Sequence, residues 1–253
     1  MRTVEEKTAE FQNYKPVLTR QPDFSAFWED NLKQIFGKEN LTEFLRLDLE
    51  EYPYPLKNVK AYKTTLTAVD GTPIRGWYLC PDWADEQHKV PGLIRFHGYS
   101  SNKGKLCELL LWALQGYAVA AFDVRGQCGD TPDNRVYSTG SFSGWLTRGL
   151  SSPQEYYYRQ VYLDCVQQIE ALARRPEVAA DKIGLFGNSQ GAALAVVSAA
   201  LLTEFKPLFA PITAKIAVVN AAIPFLTDMQ RAYREHSDGP WTELEWYFRM
   251  FDP

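Results

Sequence analysis

Lys182-Ile183-Gly184-Leu185-Phe186-Gly187-Asn188-Ser189-Gln190-Gly191-Ala192-Ala193-Leu194-Ala195 changes character twice within one short stretch. Lys182 to Phe186 reads as a strand, and Gln190 to Leu202 as a helix of small residues. Between them stands a G-x-S-x-G. A serine on so sharp a strand-to-helix turn sits in a strained backbone, and the positions two before and two after it must lack side chains for the turn to close. Such a turn lifts the Ser189 hydroxyl above the carboxyl edge of a sheet. It also points the Gln190 N–H into the same space, with the positive end of the helix behind it. Ala192, Ala193 and Ala195 let that helix lie close to the sheet. Ser189 is therefore the candidate nucleophile and Gln190 a candidate oxyanion donor. A glycine-rich turn with an inert serine is the plain alternative.

Working outward, Leu93 to His97 reads as a strand, Gly104 to Gln115 as a helix, and Ala118 to Asp123 as a second strand. A helix is expected over Gln154 to Arg174, with Val161, Cys165, Ile169 and Leu172 on one face. Lys215 to Asn220 reads as a further strand. Strands alternating with helices predict an α/β fold: a mostly parallel sheet, buried on both faces and covered by helices on both. Ahead of it, Ala61 to Val69 and Ile74 to Cys80 flank Asp70-Gly71-Thr72-Pro73 and read as a hairpin. Residues 1–58 are expected to be a helical extension, with Phe24, Phe27, Trp28 and Leu32 at helical spacing and Asp23 or Ser25 as cap. Residues 59–253 form the sheet core, and the whole of 1–253 reads as one domain.

Composition excludes several classes. The 253 residues carry 27 Lys+Arg against 31 Asp+Glu, a net charge of −4, which argues against nucleic acid or an anionic membrane as partner. Cys80, Cys107, Cys128 and Cys165 form no C-x-x-C pair, so neither a metal site nor a disulfide framework is indicated, and no cofactor is expected. With no apolar leader and no long apolar run, a soluble cytoplasmic protein with reduced thiols is expected.

A second oxyanion donor belongs in the loop after an earlier strand. His97-Gly98-Tyr99-Ser100 lies there, so the Tyr99 N–H is the candidate. Taken together, His97-Gly98-Tyr99, Arg125-Gly126-Gln127 and Gly187-Asn188-Ser189-Gln190-Gly191 resemble carbohydrate esterase family seven, the acetyl xylan esterases and cephalosporin C deacetylases of the α/β-hydrolase superfamily. Gly129-Asp130-Thr131-Pro132-Asp133, Thr147-Arg148-Gly149, Tyr156-Tyr157-Tyr158-Arg159, and Phe225 ahead of Arg231-Ala232 extend the similarity from about residue 14 onward. The resemblance implies an α/β-hydrolase fold and a serine esterase acting through an acyl-enzyme on acetylated carbohydrates, with cephalosporin C as a further substrate. It also implies no metal and a hexameric ring. It makes Arg125, Gly126 and Gln127, with Gly187 and Gly191, the support of the elbow. Read alone, Arg125 and Gln127 are only a polar turn, with Arg125 a surface cation.

A serine needs a base, and the base an orienting carboxylate, in the chain order Ser, acid, His. Neither partner is recognised in this chain. The resemblance places both, with the last strands, beyond Pro253, so the sheet is expected to be incomplete there. Activity would then be impaired, and Lys215 to Asn220 would be an exposed edge prone to pairing. Of the three histidines, His88 lies in a polar turn, His97 on the oxyanion side and His236 between Glu235 and Asp238; the last two are weak substitutes. A catalytically incomplete fragment or scaffold, or a short-acyl thioesterase or peptidase, is the alternative reading.

Overall fold

A computed structural model describes residues 20–138, 140, 144–209 and 216–222. Helix α1 is Phe24–Phe36 and α2 the single turn Leu41–Phe44. Strands β1 (Asp48–Glu51), β2 (Val59–Thr67), β3 (Pro73–Pro81) and β4 (Val90–Phe96) follow, then α3 (Cys107–Leu114) and β5 (Ala118–Phe122). The rest is α4 (Tyr157–Ala173), β6 (Val178–Asn188), α5 (Gln190–Phe205) and β7 (Ile216–Ala222). The strands form one sheet in the order β1-β2-β3-β5-β4-β6-β7.

The expected parallel part spans β5-β4-β6-β7. On its other side β3, β2 and β1 add three antiparallel pairings, so the sheet as a whole is mixed. The β2–β3 hairpin forms where Asp70-Gly71 predicts it: Gly71 takes φ +82°, and Asp70 Oδ1 accepts from the Thr72 N–H. Strand β1 lies inside the stretch expected to be helical. Its run Asp48-Leu49-Glu50-Glu51 offers only one apolar residue, and pairing with β2, not burial, makes it a strand. The expected cap of α1 also fails: Asp23 stands at the N-cap without a side-chain bond, and Ser25 instead accepts from Arg20.

Helices cover both faces. Trp28, Leu32 and Ile35 of α1, Val161, Cys165 and Ile169 of α4, and Leu194 of α5 pack with Tyr78, Ile94, Phe96 and Ala120 on one face. On the other, Leu109, Leu110 and Ala113 of α3 pack on Leu79, Leu93, Val119 and Ala121. Strand β5 is buried along its whole length, which places it mid-sheet. Helix α4 departs from its expected single buried face. Every residue from Tyr157 to Leu172 is buried, because α1 lies over it, with Trp28 6.0 Å from Tyr162. Helix α5 with the turn after it is long and apolar enough to cross a membrane, yet Ala192 to Ala195, Leu201, Leu202 and Phe205 are buried within the fold. The expected helix Trp241 to Met250, with Phe225, Arg231 and His236, lies outside the described residues.

Candidate active site

Strand β6 ends at Asn188 and α5 begins at Gln190, so Ser189 alone makes the turn. It takes φ 53° and ψ −123°, a conformation that L residues rarely adopt and that persists only where the surroundings enforce it. The enforcement is steric. A Cβ on Gly191 would sit 2.1 Å from the Phe96 carbonyl oxygen, and one on Gly187 only 2.5 Å from the Gly191 carbonyl carbon. The two glycines thus let the elbow press against the end of β4.

Gly98 faces the elbow across that seam: a Cβ there would lie 4.0 Å from Ser189 Cβ. Ser189 is half-buried in a cleft of about 560 Å³ that is also lined by Arg95, His97, Gly98, Tyr99, Ser101 and Asn188. Among the described residues, neither the Tyr99 nor the Gln190 N–H donates a hydrogen bond. One belongs to the residue after Ser189 and the other to the residue after Gly98. The Tyr99 hydroxyl accepts from the Trp145 N–H at 2.9 Å, and its ring meets the Trp145 ring edge-on.

His97 is 3% exposed and both of its ring nitrogens are occupied. Nε2 accepts from the Val124 N–H at 2.8 Å, which leaves the proton on Nδ1 to bond the Gly98 carbonyl at 2.8 Å. Burial pushes the imidazole pKa below its ordinary value, outweighing the Gly98 carbonyl and Asp123, which act to raise it. His97 therefore fastens the β4 loop and has no free nitrogen with which to serve as a base. His88 lies in an exposed turn bound to Asp85, as its polar surroundings suggest. No acid–base pair for Ser189 stands among the described residues.

A buried polar layer lies beneath the elbow. Gln190 Oε1 accepts from Gln127 Nε2 at 2.9 Å and from the Tyr158 hydroxyl at 2.6 Å. Gln127 Nε2 also reaches the Tyr157 hydroxyl, which donates to the Arg125 carbonyl. Burial raises the Tyr157 pKa, so the phenol keeps the proton that it donates. Gly126 takes φ +65°, and its carbonyl accepts from Trp145 Nε1.

Arg125 is the main correction to the sequence reading. It is fully buried, not a surface cation, and makes two hydrogen bonds to Asp164 of α4, at 2.6 and 2.7 Å. It reaches Asp70 of the hairpin turn at 2.6 Å as well. Burial acts to raise the Asp70 carboxyl, but the hydrogen bond and charge of Arg125 outweigh it and hold the pKa low. Around the same loop, buried Asp123 accepts from the Lys103 and Asp130 N–H groups and from Lys103 Nζ. The ion pairs of Asp70, Lys103, Asp123 and Asp164 carried no sequence signal, since the charged partners lie between 20 and 55 residues apart. Cys80 and Cys165 are buried thiols and Cys107 and Cys128 exposed ones, and the described residues hold no cluster of metal-ligating side chains.

A mixed sheet with helices on both faces and a strained serine between strand and helix define an α/β-hydrolase. The chain also matches the sequence model of the acetyl xylan esterase (AXE1) family over residues 1–253, and it belongs to that family. It is similar to a solved acetyl xylan esterase from Paenibacillus sp. R4, at 38% identity over 97% of this chain and 73% of that one, with a TM-score of 0.76. Acetyl xylan esterase 1 from Thermoanaerobacterium sp. JW/SL YS485 is similar at 26% identity over 96% of this chain and 76% of that one, with a TM-score of 0.73. The acetyl esterase Axe7A of Xylanibacter ruminicola is 24% identical over 94% of this chain. The chain spans about half the length of that curated relative, 51% of it.

Proposed function

We propose that this chain carries the nucleophile and oxyanion hole of a serine esterase that removes acetyl groups from acetylated carbohydrates, acetylated xylan oligomers among them. One observation carries the reading: a strained Ser189 flanked by the two uncommitted N–H groups of Tyr99 and Gln190. Ser189 Oγ attacks the acetyl carbonyl, and the oxygen that gains charge lies between the two N–H groups. Collapse expels the sugar hydroxyl and leaves acetyl-Ser189, which water then hydrolyses to acetate. The proton on Oγ needs a base oriented by a carboxylate, and both are assigned to residues outside the described ones. Gly187 and Gly191 hold the turn, Gln127 braces it through Gln190, and Arg125 with Gly126 holds Gln127 in place. The names of the similar proteins support the acyl group and the carbohydrate. Cephalosporin C as a second acetate ester, a hexameric ring and a cytoplasmic location belong to the same proposal.

The test is Ser189→Ala in protein that carries the base and its carboxylate and turns over acetate esters, assayed on p-nitrophenyl acetate and on acetylated xylan. The expected loss is on the order of 10⁴–10⁶ in kcat, with an unchanged fold by circular dichroism. Turnover within tenfold of the parent would overturn the assignment.

A further inference from the structure

A second cleft of about 550 Å³ opens on the α3 face of the sheet and contains neither Ser189 nor its loop. Its floor is Arg75 and Trp77 of β3, beside Lys63 of β2 and Asp48 and Glu50 of β1. Its far wall is Lys103 and Asp130, from the loops that follow β4 and β5. Gly76 pairs with Phe122, the last residue of β5, and Arg75 accepts from the Asp123 N–H. The cleft therefore lies at the carboxyl edge of the sheet, the edge that also carries Ser189. Strands β5 and β4 separate β3 from β6, so three strand spacings, about 14 Å in all, lie between the two sites. One loop forms the wall between them: Ser101 lines the Ser189 cleft, and Lys103 lines the second. Trp77 Nε1 fixes that wall by donating to the Gly104 carbonyl at 3.1 Å.

The lining defines the ligand class. Asp48, Glu50 and Asp130 balance Lys63, Arg75 and Lys103, so the cleft has no net charge with which to select an ion. Glu50 is already paired with Lys63, and Asp130 with Lys103. The exposed Arg75 guanidinium has no hydrogen-bond partner among the described residues, although its charge helps hold the Asp130 carboxyl low. The indole is half-buried, with Lys103 Nζ 6.0 Å over its ring and the Tyr52 ring meeting it at 5.3 Å. Donors and acceptors of both signs around the part of the indole left uncovered suit a neutral polyhydroxylated ring, with hydroxyls for the charged groups and an apolar face for Trp77.

We propose that this cleft is a distal saccharide subsite, which holds sugar units of the chain whose acetyl group lies at Ser189. The proposal rests on the carbohydrate esterase reading of Ser189. It gives polymeric substrates a second foothold, raising the effective concentration of the ester at the first.

The test is titration calorimetry of the full chain with unacetylated xylo-oligosaccharides, which needs no turnover. It is paired with kinetics on acetylated oligomers and on p-nitrophenyl acetate. Arg75→Ala and Glu50→Gln change exposed side chains, so the fold is not at stake. Arg75→Ala is expected to weaken oligosaccharide binding on the order of tenfold and to raise KM for long acetylated oligomers, leaving p-nitrophenyl acetate hydrolysis unchanged. Oligosaccharide binding that neither variant alters would overturn the subsite. Parent protein that turns over acetylated oligomers but binds no unacetylated chain would overturn it too, while leaving the esterase reading intact. Binding lost in Arg75→Ala, from a parent whose turnover of acetylated oligomers survives Ser189→Ala unchanged, would uphold the cleft as a saccharide site and overturn the Ser189 reading.

Discussion

Two loops at the carboxyl edge of the sheet are held in place by opposite means. The elbow after β6 is fixed by missing side chains: Gly187 and Gly191 let it press on the Phe96 carbonyl, and a Cβ at either place would collide with backbone. The loop after β5 is fixed by side chains that are present. Asp123 gathers Lys103 and two N–H groups, and Arg125 joins Asp70 to Asp164. Exclusion is a short-range constraint and leaves its mark in neighbouring residues. Ion pairing is a long-range one and leaves none.

The largest effect expected from this contrast is on activity, at the elbow. Gly191→Ala places a methyl group against backbone that cannot move without carrying β4 with it. Overpacking of this kind costs about 1–3 kcal/mol in stability, and a displacement near 1 Å at the reacting hydroxyl costs about 10² in rate. Ester hydrolysis should therefore fall by about 10² or more, while the protein remains folded. Gly98→Ala is the control, since its Cβ would meet the Asn188 carbonyl oxygen at an ordinary 3.6 Å. Equal losses in the two variants, measured by p-nitrophenyl acetate turnover and thermal melting, would break the steric account of the elbow.

What the sequence made legible follows the same division. The elbow, the hairpin turn and the buried strand Ala118–Phe122 each depend on residues adjacent in the chain, and each lies where its local pattern puts it. Strand β1 was illegible because only pairing with β2 gives its acidic run a structure. Arg125 was read as an elbow support only through family resemblance. Its burial depends on Asp70 and Asp164, which lie 55 and 39 residues away in opposite directions along the chain. The helical face expected of α4 held for Val161, Cys165, Ile169 and Leu172, but no periodicity could show that α1 would bury the polar side as well.

A second way to sharpen the contrast is to cut the ion-paired loop where it is most buried. Arg125→Met leaves Asp164 enclosed without its partner, a change that costs about 3–5 kcal/mol. Restoring balance with Asp164→Leu in the same chain should recover most of that loss, because an apolar pair of similar volume replaces a buried charge pair at little cost. Chemical denaturation of the two variants measures both steps. A double variant no more stable than Arg125→Met would show that Arg125 works through Asp70 and the hairpin and not through α4.

The smallest effect is expected where the two regions meet, at His97. Its ring takes the Val124 N–H of the loop after β5 and gives its proton to the Gly98 carbonyl beside the elbow. Protonating Nε2 would set two donors against each other. The groups facing the ring divide in sign, Asp123 and the Gly98 carbonyl raising its pKa and Arg95 and Lys103 lowering it, while burial tips the result below the ordinary 6.5. Between that lowered value and 6.5 the unfolded chain binds more protons than the folded one, so stability rises with pH across the window and falls as the solution is acidified. His97→Gln removes the titration. It should lose about 1 kcal/mol at neutral pH through the broken bonds, and should lose less than the parent as pH drops from about 7 to 5. Urea midpoints for the two proteins across that range decide the matter: a difference between them that stays constant with pH would mean that His97 is held by packing alone, and that the two regions are not joined through its charge state.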